Sequence, residues 1–444
     1  MAVESPVTMS SAEIVALNRA HTFFSWSVQG ALDPIAIDHA EGVYLYTPEG
    51  RRILDFNSQL MSVNIGHGDR RVIDAITEQA MKLQYVQPAF ATEIRGRLGK
   101  KLAEIMPGDL DKVFFTLGGA EAIENAIKLA RHHTGRYKVL ARYRAYHGAT
   151  FGAMTLTGDP RRWANEPGLV GVVRYPDTHR YGEAEPRPAA ESLEGLEDVV
   201  RYEGPHTIAA IFLETIVGTN GILIPPDGYL QGVREICDRY GILMVADEVM
   251  AGFGRTGKWF ALDHWNVVPD LMTMAKGLTS SYLPLGAVAM RHGIAEAFES
   301  KMFFGGLTYS AHPVSLAAAL ATIRVYEEDD LVGNAARLGP VMQAHHERLA
   351  AKHPSVGAHR SLGLFGILDL VRSRDPWTPL TPFNGTSDEM KAIGKDLRDH
   401  GVYCMIANNS IHTNPPLCIT EEQLAEGFEV IDAALDIADR AVTG

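Results

Sequence analysis

Cysteine is scarce in this chain: only Cys237, Cys404 and Cys418 occur among its 444 residues. None of them forms a C-x-x-C pair or stands at a Cys/His spacing typical of zinc ligands, so a disulfide framework and a zinc site are both disfavoured. Basic residues are also in deficit, since 41 Lys and Arg face 54 Asp and Glu and leave a formal net charge of −13. This balance opposes binding to nucleic acid or to acidic membrane surfaces, and no basic stripe offsets it.

Long hydrophobic runs are absent as well. Although 46% of the residues are hydrophobic, no apolar segment approaches the ~18 consecutive residues that a membrane-spanning helix needs. Residues 1–21 lack the basic start and apolar core of a secretory signal, and they are too poor in Arg for a transit peptide. We therefore expect a cytoplasmic protein that acts on small molecules, with neither a membrane nor a nucleic-acid partner.

The pattern of apolar segments predicts an α/β fold. With 444 residues, the chain exceeds the roughly 250–300 residues that one core usually serves. Runs such as KVFFTL, AAIFLE and GILMVADEV alternate with helical patterns, as in a mostly parallel sheet covered by helices. We predict a large domain over residues 65–325 and a smaller α/β domain built from residues 1–64 and 326–444. The polar, proline-containing stretch 181–195 predicts a surface loop.

Two polar residues close apolar runs near the middle of the chain. Asp247 ends the run GILMVAD, and Lys276 follows the run LMTMA. An anion and an amine at the ends of two strands suit pyridoxal phosphate, whose aldehyde reacts with a lysine amine and whose pyridine nitrogen is kept protonated by a carboxylate. Taken singly, Lys276 is better explained as a solvated surface lysine and Asp247 as a helix cap, but the two occur together with the motifs that follow.

The segment TLGGAEAIENAIKLAR places Gly118 and Gly119 between a predicted strand and an amphipathic helix. A backbone without Cβ atoms can approach an anion closely, and the start of a helix offers unpaired N–H groups. A single phosphate suits this junction, although a tight turn is the more common reason for such a glycine pair. The chain has no GxGxxG at this junction and no P-loop motif, which disfavours a dinucleotide or ATP site.

Other residues with suitable chemistry follow the same apolar strands. Tyr146, His147 and Gly148 come after one strand, where the tyrosine ring can lie against a planar cofactor; a core tyrosine and a loop histidine explain the motif equally well. Glu214 closes the run AAIFLE. Val249 follows the aspartate of the next strand by two residues, so both point to the same side of an extended chain.

Five segments stand in a telling order along the chain: GGAEAIENAIKLAR, YHGAT, ADEVMAGFGRTGKWF, AKGLTSSYLPLGAV and TYSAHP. In this order they resemble the class III aminotransferases, which are fold type I pyridoxal-phosphate enzymes. The resemblance extends from about residue 36 to the carboxyl-terminal helix. The segments NSQLMSVNIGHGDRRV and GLTYSAHPVSLAAAL look most like the ω-aminotransferase branch that includes taurine–pyruvate and β-alanine–pyruvate enzymes.

The resemblance implies a role for each motif residue. Lys276 is expected to bind pyridoxal 5'-phosphate covalently and to move a proton between substrate and cofactor, while Asp247 pairs with the pyridinium nitrogen. The cofactor ring is expected between Tyr146 and Val249. The implied set of cofactor contacts is Gly118, Gly119, Ala120, Tyr146, His147, Glu214, Asp247, Val249, Lys276 and Thr308.

Two of these contacts also imply an assembly. Backbone N–H groups of Gly119 and Ala120 are expected to hold the phosphate. In this family, the threonine equivalent to Thr308 reaches the phosphate of the neighbouring subunit, although a plain turn threonine is the simpler reading of the residue alone. The resemblance therefore implies a homodimer, or a tetramer built from it, with shared active sites.

Three positions at which relatives carry a carboxylate-binding arginine differ here: Ala149, Met405 and His412 occupy them. Histidine lacks the permanent charge and two-pronged grip of arginine. A carboxylate is then bound by His412, by an asparagine or by another arginine, or else the substrate has no carboxylate at that end. The other residues considered are Asn408, Asn409, Arg142, Arg144 and Arg162. The expected substrate contacts are Trp26, Met61, Tyr85, Met405 and His412.

The expected activity is a ping-pong aminotransferase. It moves an amino group from a primary amine or an ω- or β-amino acid, such as taurine or β-alanine, to an oxo-acid such as pyruvate. A lyase, decarboxylase or racemase on the same fold is the alternative, because fold type I sites differ mainly in the bond held perpendicular to the ring. A cofactor-binding regulator without turnover is disfavoured, since Lys276, Asp247 and the glycine pair are all retained. No metal is expected.

Overall fold

The computed structural model describes residues 9–181, 183 and 185–443, which form helices and three sheets. The strands are β1 (His39–Glu41), β2 (Tyr44–Tyr46), β3 (Arg52–Asp55), β4 (Leu110–Thr116), β5 (Lys138–Arg142), β6 (Val172–Tyr175), β7 (Ile208–Glu214), β8 (Leu243–Asp247), β9 (Leu271–Met274), β10 (Gly286–Arg291), β11 (Val356–Leu362), β12 (Phe365–Arg374), β13 (Trp377–Pro379), β14 (Val402–Tyr403), β15 (Ile406–Ala407) and β16 (Ser410–Thr413). The α-helices are α1 (Ser11–His21), α2 (Ser58–Met61), α3 (Arg70–Lys82), α4 (Glu93–Ile105), α5 (Gly119–Thr134), α6 (Phe151–Leu156), α7 (Ala189–Glu203), α8 (Tyr229–Tyr240), α9 (His292–Glu296), α10 (Pro313–Glu328), α11 (Leu331–Lys352), α12 (Asp388–Asp399) and α13 (Glu421–Asp439).

The central sheet has seven strands in the order β4-β10-β9-β8-β7-β5-β6. The pairs that join β6, β5, β7, β8 and β9 are parallel, whereas β10 runs antiparallel to both of its neighbours. Every residue of β7 is buried, as expected for a strand with helices on both faces of the sheet. The predicted mostly parallel α/β sheet is therefore confirmed.

The register of the central sheet brings functional residues together. Glu214 at the end of β7 pairs with Asp247 at the end of β8, and Asp247 pairs with Thr273 of β9. Because these strands are parallel, their carboxyl ends lie at one edge of the sheet, which is where α/β proteins usually bind ligands. Lys276 follows β9 directly and lies at the same edge.

Two smaller sheets come from the ends of the chain. One has the order β1-β2-β3-β14, in which Val402 of β14 pairs with Leu54 of β3. The other has the order β11-β12-β16-β15, with β13 paired to β12. The first sheet joins residues from both ends of the chain, which supports the expected smaller domain; its boundaries at residues 64 and 325 stay a prediction.

Helices after the central sheet match the expectation, but one predicted loop does not. The periodicity around residues 314–326 and 331–352 predicts two helices, and α10 and α11 cover these ranges. The surface loop predicted for 181–195 is wrong in its second part, because α7 begins at Ala189. Ser192, Leu196 and Val200 are spaced by four residues and form the buried face of this helix, an amphipathic pattern that the preceding prolines obscure.

The described residues add three observations on the features that are scarce in the sequence. Cys237 and Cys404 are buried, Cys418 is half-buried, and all three are free thiols. Within the described ranges, His353, Asp436 and Asp439 are the one group whose ligand atoms approach closely enough for a metal ion, and His353 is already bonded to Asp439. No helix in this part of the chain has the length and apolar character needed to cross a membrane.

Candidate active site

Lys276 begins a short 3₁₀ turn immediately after β9. Its backbone has φ 42°, a left-handed conformation that costs free energy for a residue with a Cβ and that is concentrated at functional sites. The turn is held by Tyr326, whose hydroxyl donates a hydrogen bond of 2.9 Å to the carbonyl oxygen of Gly277. The strained backbone thus fixes where the lysine side chain leaves the sheet.

Opposing effects shift the pKa of the Lys276 amine. Burial lowers its pKa to about 8, even though the carboxylates of Asp247 and Glu214 favour the charged form. Arg161 and Arg255 add to the lowering. Near pH 7–8 a substantial fraction of the amine is therefore neutral, which is the form that attacks a carbonyl carbon.

Asp247 is buried together with His147. Nδ1 of His147 lies 2.7 Å from Oδ2 of Asp247, and the backbone N–H of Val249 donates to Oδ1 at 3.0 Å. Both side chains are shielded from solvent, with 0% of His147 and 4% of Asp247 exposed. Because a carboxylate accepts and does not donate, His147 must present an N–H at Nδ1. Two contacts fix the orientation of the Asp247 carboxylate.

Glu214 joins two loops at the sheet edge. Its Oε1 accepts the N–H of Tyr146 at 2.9 Å, and its Oε2 accepts the N–H of Gly218 at 2.8 Å. Burial raises the pKa of this carboxyl, while His147 and the two N–H groups counteract the rise. One side chain thus holds both the loop that carries Tyr146 and the loop that follows β7.

The amino-terminal end of α5 faces the same edge. No side chain caps this end at Gly118, so its first N–H groups and the positive end of its dipole remain available for an anion. A Cβ at Gly119 would lie 3.0 Å from Val249 and 3.7 Å from Ala275. Gly148, at φ 134°, is so close to Ala120 that a Cβ there would lie 2.5 Å from the alanine Cβ. The glycines therefore allow the predicted motifs to converge.

Arg161 is a site residue that the sequence reasoning missed. Its guanidinium carbon lies 3.8 Å from the centroid of the Tyr146 ring, and its Nη2 donates to Thr219 Oγ1 at 3.0 Å. Its Nε lies 3.0 Å from both carboxylate oxygens of Asp159. The run GDPRRW signals a turn with two arginines, but nothing in it distinguishes Arg161 from Arg162.

Met61 occupies a constrained position in an apolar cluster. It is 1% exposed and has φ 53°. It shares the cluster with Ile216, Ile222, Met250, Ala251, Ala261, Phe365 and Ile367, and Met405 packs at the edge. Because Ile216 and Ile222 belong to the loop after β7, the two methionines lie on the same side of the site as Thr219. Flexible thioether side chains adapt to differently shaped apolar groups.

Three other predicted residues lie on the surface of the single chain. Trp26 is 62% exposed, and Thr308 is exposed as well. Tyr85 is half-buried, and its hydroxyl donates to the carbonyl oxygen of Thr308 at 2.8 Å. The structure thus brings Tyr85 and Thr308 together at the surface of the single chain.

His412 is central to the question of how an acid is bound. It lies in β16 with 0% exposure, and neither ring nitrogen has a hydrogen-bond partner among the described residues. Burial lowers its pKa to about 4, although Asp369 acts in the opposite direction. Near pH 7 this imidazole is therefore neutral and supplies no positive charge to a carboxylate.

The remaining residues considered for an acid differ in availability. Asn409 is buried and donates to the carbonyl oxygen of Leu370 at 2.9 Å, whereas Asn408 is exposed. Ala149 is exposed and has no polar side-chain atom. The arginines differ in whether a carboxylate pairs with them, and one of them, Arg144, lines a cavity beside the site.

The donor set suits pyridoxal phosphate. The residues described above supply a buried carboxylate for the ring nitrogen, a partly neutral amine for the aldehyde, and an uncapped helix end for the phosphate. Nε2 of His147 is buried and has no hydrogen-bond partner among the described residues, so this atom can still form a hydrogen bond. The groups have the chemistry that the cofactor needs at its nitrogen, aldehyde and phosphate.

The chain was compared with known families and structures. The model of the family described as class-III aminotransferase matches residues 27–435. Taurine–pyruvate aminotransferase of Rhodobacter capsulatus is 33% identical, with 97% of this chain and 98% of that protein covered. Putrescine–pyruvate aminotransferase of Pseudomonas aeruginosa is 34% identical, with 91% of each chain covered.

A solved structure shows the same fold over nearly the whole chain. Taurine:2-oxoglutarate aminotransferase from Bifidobacterium kashiwanohense, in complex with pyridoxal phosphate and glutamate, superposes with a TM-score of 0.95 at 38% identity and covers 98% of this chain and 99% of that one. The fold type I assignment is therefore confirmed. Together with the match over residues 27–435, these findings establish that the chain belongs to the pyridoxal phosphate-dependent class III aminotransferases.

Proposed function

We propose that this aminotransferase takes an amino group from a primary amine or an ω- or β-amino acid and passes it to an oxo-acid such as pyruvate or 2-oxoglutarate. The observation that carries the proposal is the amine of Lys276, whose pKa is about 8 and which lies at one sheet edge with Asp247. Relatives named for taurine, putrescine, pyruvate and 2-oxoglutarate support these substrate classes.

The residues at the sheet edge have separate roles in the reaction. When bound, pyridoxal phosphate supplies an aldehyde that receives the amino group and a ring that withdraws electrons from the reacting carbon. Asp247, fixed by His147 and Val249 N–H, holds a proton on the ring nitrogen by its negative charge. Lys276 moves the proton that leaves the carbon bearing the substrate nitrogen, since a group with a pKa near the working pH does so efficiently.

We assign the other contacts by position. Gly119 and Ala120 would hold the phosphate through their N–H groups, and Gly118 leaves the helix end uncapped. Tyr146 and Val249 would contact the cofactor ring. Glu214 holds the Tyr146 loop in place through the hydrogen bonds described above.

The apolar part of the site favours amines with a hydrocarbon portion. Met61 and Met405 border the same cluster, where neither provides a charge. An amine with an aliphatic chain can bury that chain against these methionines. The binding free energy gained in this way is proportional to the apolar area that is covered.

We also propose a homodimer with shared active sites. The support is the exposure of Trp26, Phe23 and Phe304, of which 62%, 85% and 73% are accessible, together with the surface position of Thr308. Large apolar side chains of this kind are covered in a stable assembly. Thr308 and Trp26 would then act in the site of the partner copy.

A panel of amines tests the proposed reaction. The cofactor-loaded protein is mixed with taurine, β-alanine, putrescine, propylamine or L-alanine, and the long-wavelength absorbance of the cofactor is followed. We expect at least one amine without an α-carboxylate to bleach it, and pyruvate or 2-oxoglutarate to restore it. Release of carbon dioxide, elimination products or racemised alanine without amino transfer would instead identify the alternative lyase, decarboxylase or racemase.

A further inference from the structure

A cavity lies where the turn at residues 219–221 faces β11, β12 and β16. The volume that water-sized molecules can occupy inside it is about 40 Å³, and the space around this volume is partly open to solvent. Its mostly polar walls include Arg144, His179, Thr219, Arg360, Asp369 and His412. Such a set of permanent cations and histidines is suited to a small polar ligand rather than to a hydrocarbon.

Arg360 is already neutralised within this cavity. Its Nη2 lies 2.6 Å from Oδ2 of Asp369 and 2.8 Å from the carbonyl oxygen of Gly221. Burial acts to raise the pKa of Asp369, but Arg360 and the hydroxyl of Ser410 together hold it below the usual value. Asp369 is therefore ionised, and the charges of this pair cancel.

Arg144 has no such counter-ion. Within the described ranges its one hydrogen bond is from Nη2 to the carbonyl oxygen of Asn220, at 2.6 Å, and no carboxylate lies within ion-pairing distance. Its pKa is lowered by burial, yet a guanidinium stays protonated. Asp177 and Asp369 act on this guanidinium only from beyond ion-pairing distance, and a shielded cation without a close counter-ion is costly, so Arg144 can still bind an anion.

Three other arginines near the site are each paired with a carboxylate. Arg142 is 1% exposed and lies 3.7 Å from Asp177. Arg161 is bonded through Nε to Asp159, and Arg162 forms an ion pair with Glu166. Arg255, which acts on Lys276, is buried and donates to carbonyl, hydroxyl and amide oxygens instead. Of the two arginines that line the cavity, Arg360 is therefore ion-paired, whereas Arg144 has no carboxylate partner within the described ranges.

His412 adds a neutral partner for a ligand in the cavity. In the part of the chain that the structure describes, neither ring nitrogen of His412 has a hydrogen-bond partner, and the side chain is fully buried. A neutral imidazole carries one N–H and one lone pair, so it can donate to an acid oxygen without contributing charge. The missing partners of His412 and the missing counter-ion of Arg144 are thus explained by the same ligand.

The cavity adjoins the cofactor side of the site. Thr219 lines it, and the hydroxyl of Thr219 accepts a hydrogen bond of 3.0 Å from Arg161, which lies over the ring of Tyr146. Ala407 also lines the cavity and follows Met405 by two residues. Thr219 and Ala407 therefore place this cavity beside the residues that surround Tyr146 and Met405.

We propose that this cavity binds the acid group of the substrate, a carboxylate or sulfonate distant from the reacting carbon, with Arg144 as its fixed charge and His412 as its neutral hydrogen-bond partner. The inference rests on the proposed function. It explains how the chain recognises an acid although Ala149, Met405 and His412 stand where relatives have arginine.

Two substitutions test the proposal. Arg144→Gln removes the charge, and Arg162→Gln is the matched control because it removes a neighbouring charge that is ion-paired elsewhere. Each cofactor-loaded variant is titrated with taurine, ethylamine, 2-oxoglutarate and pyruvate in the separate half-reactions. We expect Arg144→Gln to weaken the binding of taurine, of 2-oxoglutarate or of both by about 10–100-fold, the range for a hydrogen bond to a charged group. The affinity for ethylamine should be unchanged. Arg144→Lys should restore part of the loss.

The pattern of losses assigns the acid. If only the affinity for taurine falls, the cavity binds the acid group of the donor. If only the affinity for 2-oxoglutarate falls, it binds the distal carboxylate of the acceptor. The proposal is overturned if the affinity for ethylamine falls equally, or if the affinities for both acids are unchanged. It is also overturned if Arg162→Gln loses the same affinities.

A measurement without turnover separates this proposal from the proposed function. Ethanesulfonate, which cannot react, should raise the thermal unfolding midpoint of the wild-type holoenzyme more than that of Arg144→Gln. If this difference is seen while no amine reacts, the proposed function fails and the cavity assignment stands. If amines react but ethanesulfonate stabilises both proteins equally, the cavity assignment fails.

Discussion

His147 donates from Nδ1 to Oδ2 of Asp247 over 2.7 Å, and both side chains are buried. The imidazole therefore orients the carboxylate through one hydrogen bond. The second carboxylate oxygen is fixed by the N–H of Val249 at 3.0 Å. An aspartate held in this way keeps one direction free for a protonated ring nitrogen.

Asp247→Asn should slow the reaction without loss of the bound cofactor. Asparagine keeps the size of the side chain but loses the negative charge that keeps the ring nitrogen protonated. We expect both half-reactions to slow by at least about 10²-fold, the scale of one acid–base or electrostatic contribution. Single-turnover absorbance measures the rates, with Asp263→Asn as the control for loss of a partly buried carboxylate. Near-normal rates at full cofactor occupancy would remove Asp247 from the mechanism.

Cofactor uptake by the cofactor-free protein should depend on pH through Lys276. Its pKa is about 8, so the neutral amine rises about tenfold between pH 7 and pH 9 and then levels off. The uptake rate should follow this curve, measured as growth of the long-wavelength absorbance. A rate that continues to rise in proportion to hydroxide up to pH 10 would indicate an ordinary lysine pKa.

Lys276→Ala provides the corresponding identity test. Loss of the amine should abolish the long-wavelength absorbance and nearly all turnover, whereas Lys258→Ala should change neither. Borohydride reduction followed by peptide mapping identifies the modified lysine. A reduced cofactor on any other lysine would show that the site has been placed wrongly.

Sequence patterns predict those parts of the molecule that depend on local order. The apolar runs that end in Glu214 and Asp247, and the periodicity of α5, follow from the alternation of strands and helices, and parallel pairing then places their ends at one edge. The position of Arg161 over Tyr146 depends on how two turns fold onto each other, which neither turn encodes alone. The same limit applies to His412, whose burial results from packing of β16 between β12 and β15.

Thr308→Ala tests the proposed sharing of sites between two copies. If the hydroxyl contacts the partner's phosphate, its loss should weaken cofactor binding by about 1–3 kcal/mol, the range for a hydrogen bond to a charged group, with little effect on the amount of dimer. Thr378→Ala, another exposed threonine, is the control. Equilibrium dialysis measures cofactor retention and analytical ultracentrifugation measures assembly. A fully active wild-type monomer at assay concentration would contradict the shared site.

Acid should destabilise the protein partly through His412. The pKa of this buried imidazole is about 4 in the folded chain, against about 6.5 in an unfolded one. Between these values the unfolded chain binds the extra proton, so stability falls as pH drops from 6.5 towards 4. For one group the loss between pH 7 and pH 4.5 is about 2–3 kcal/mol, from 1.36 kcal/mol per pKa unit.

His412→Phe should reduce this acid sensitivity by the same amount, since phenylalanine does not titrate. Urea unfolding of the cofactor-free wild type and variant at pH 7 and pH 4.5 gives the double difference, which cancels any change in packing that is independent of pH. His345→Phe is a useful control, because that imidazole is less enclosed. Identical acid sensitivity in wild type and His412→Phe would mean that the pKa of His412 is the same in the folded and the unfolded protein, so that burial does not lower it.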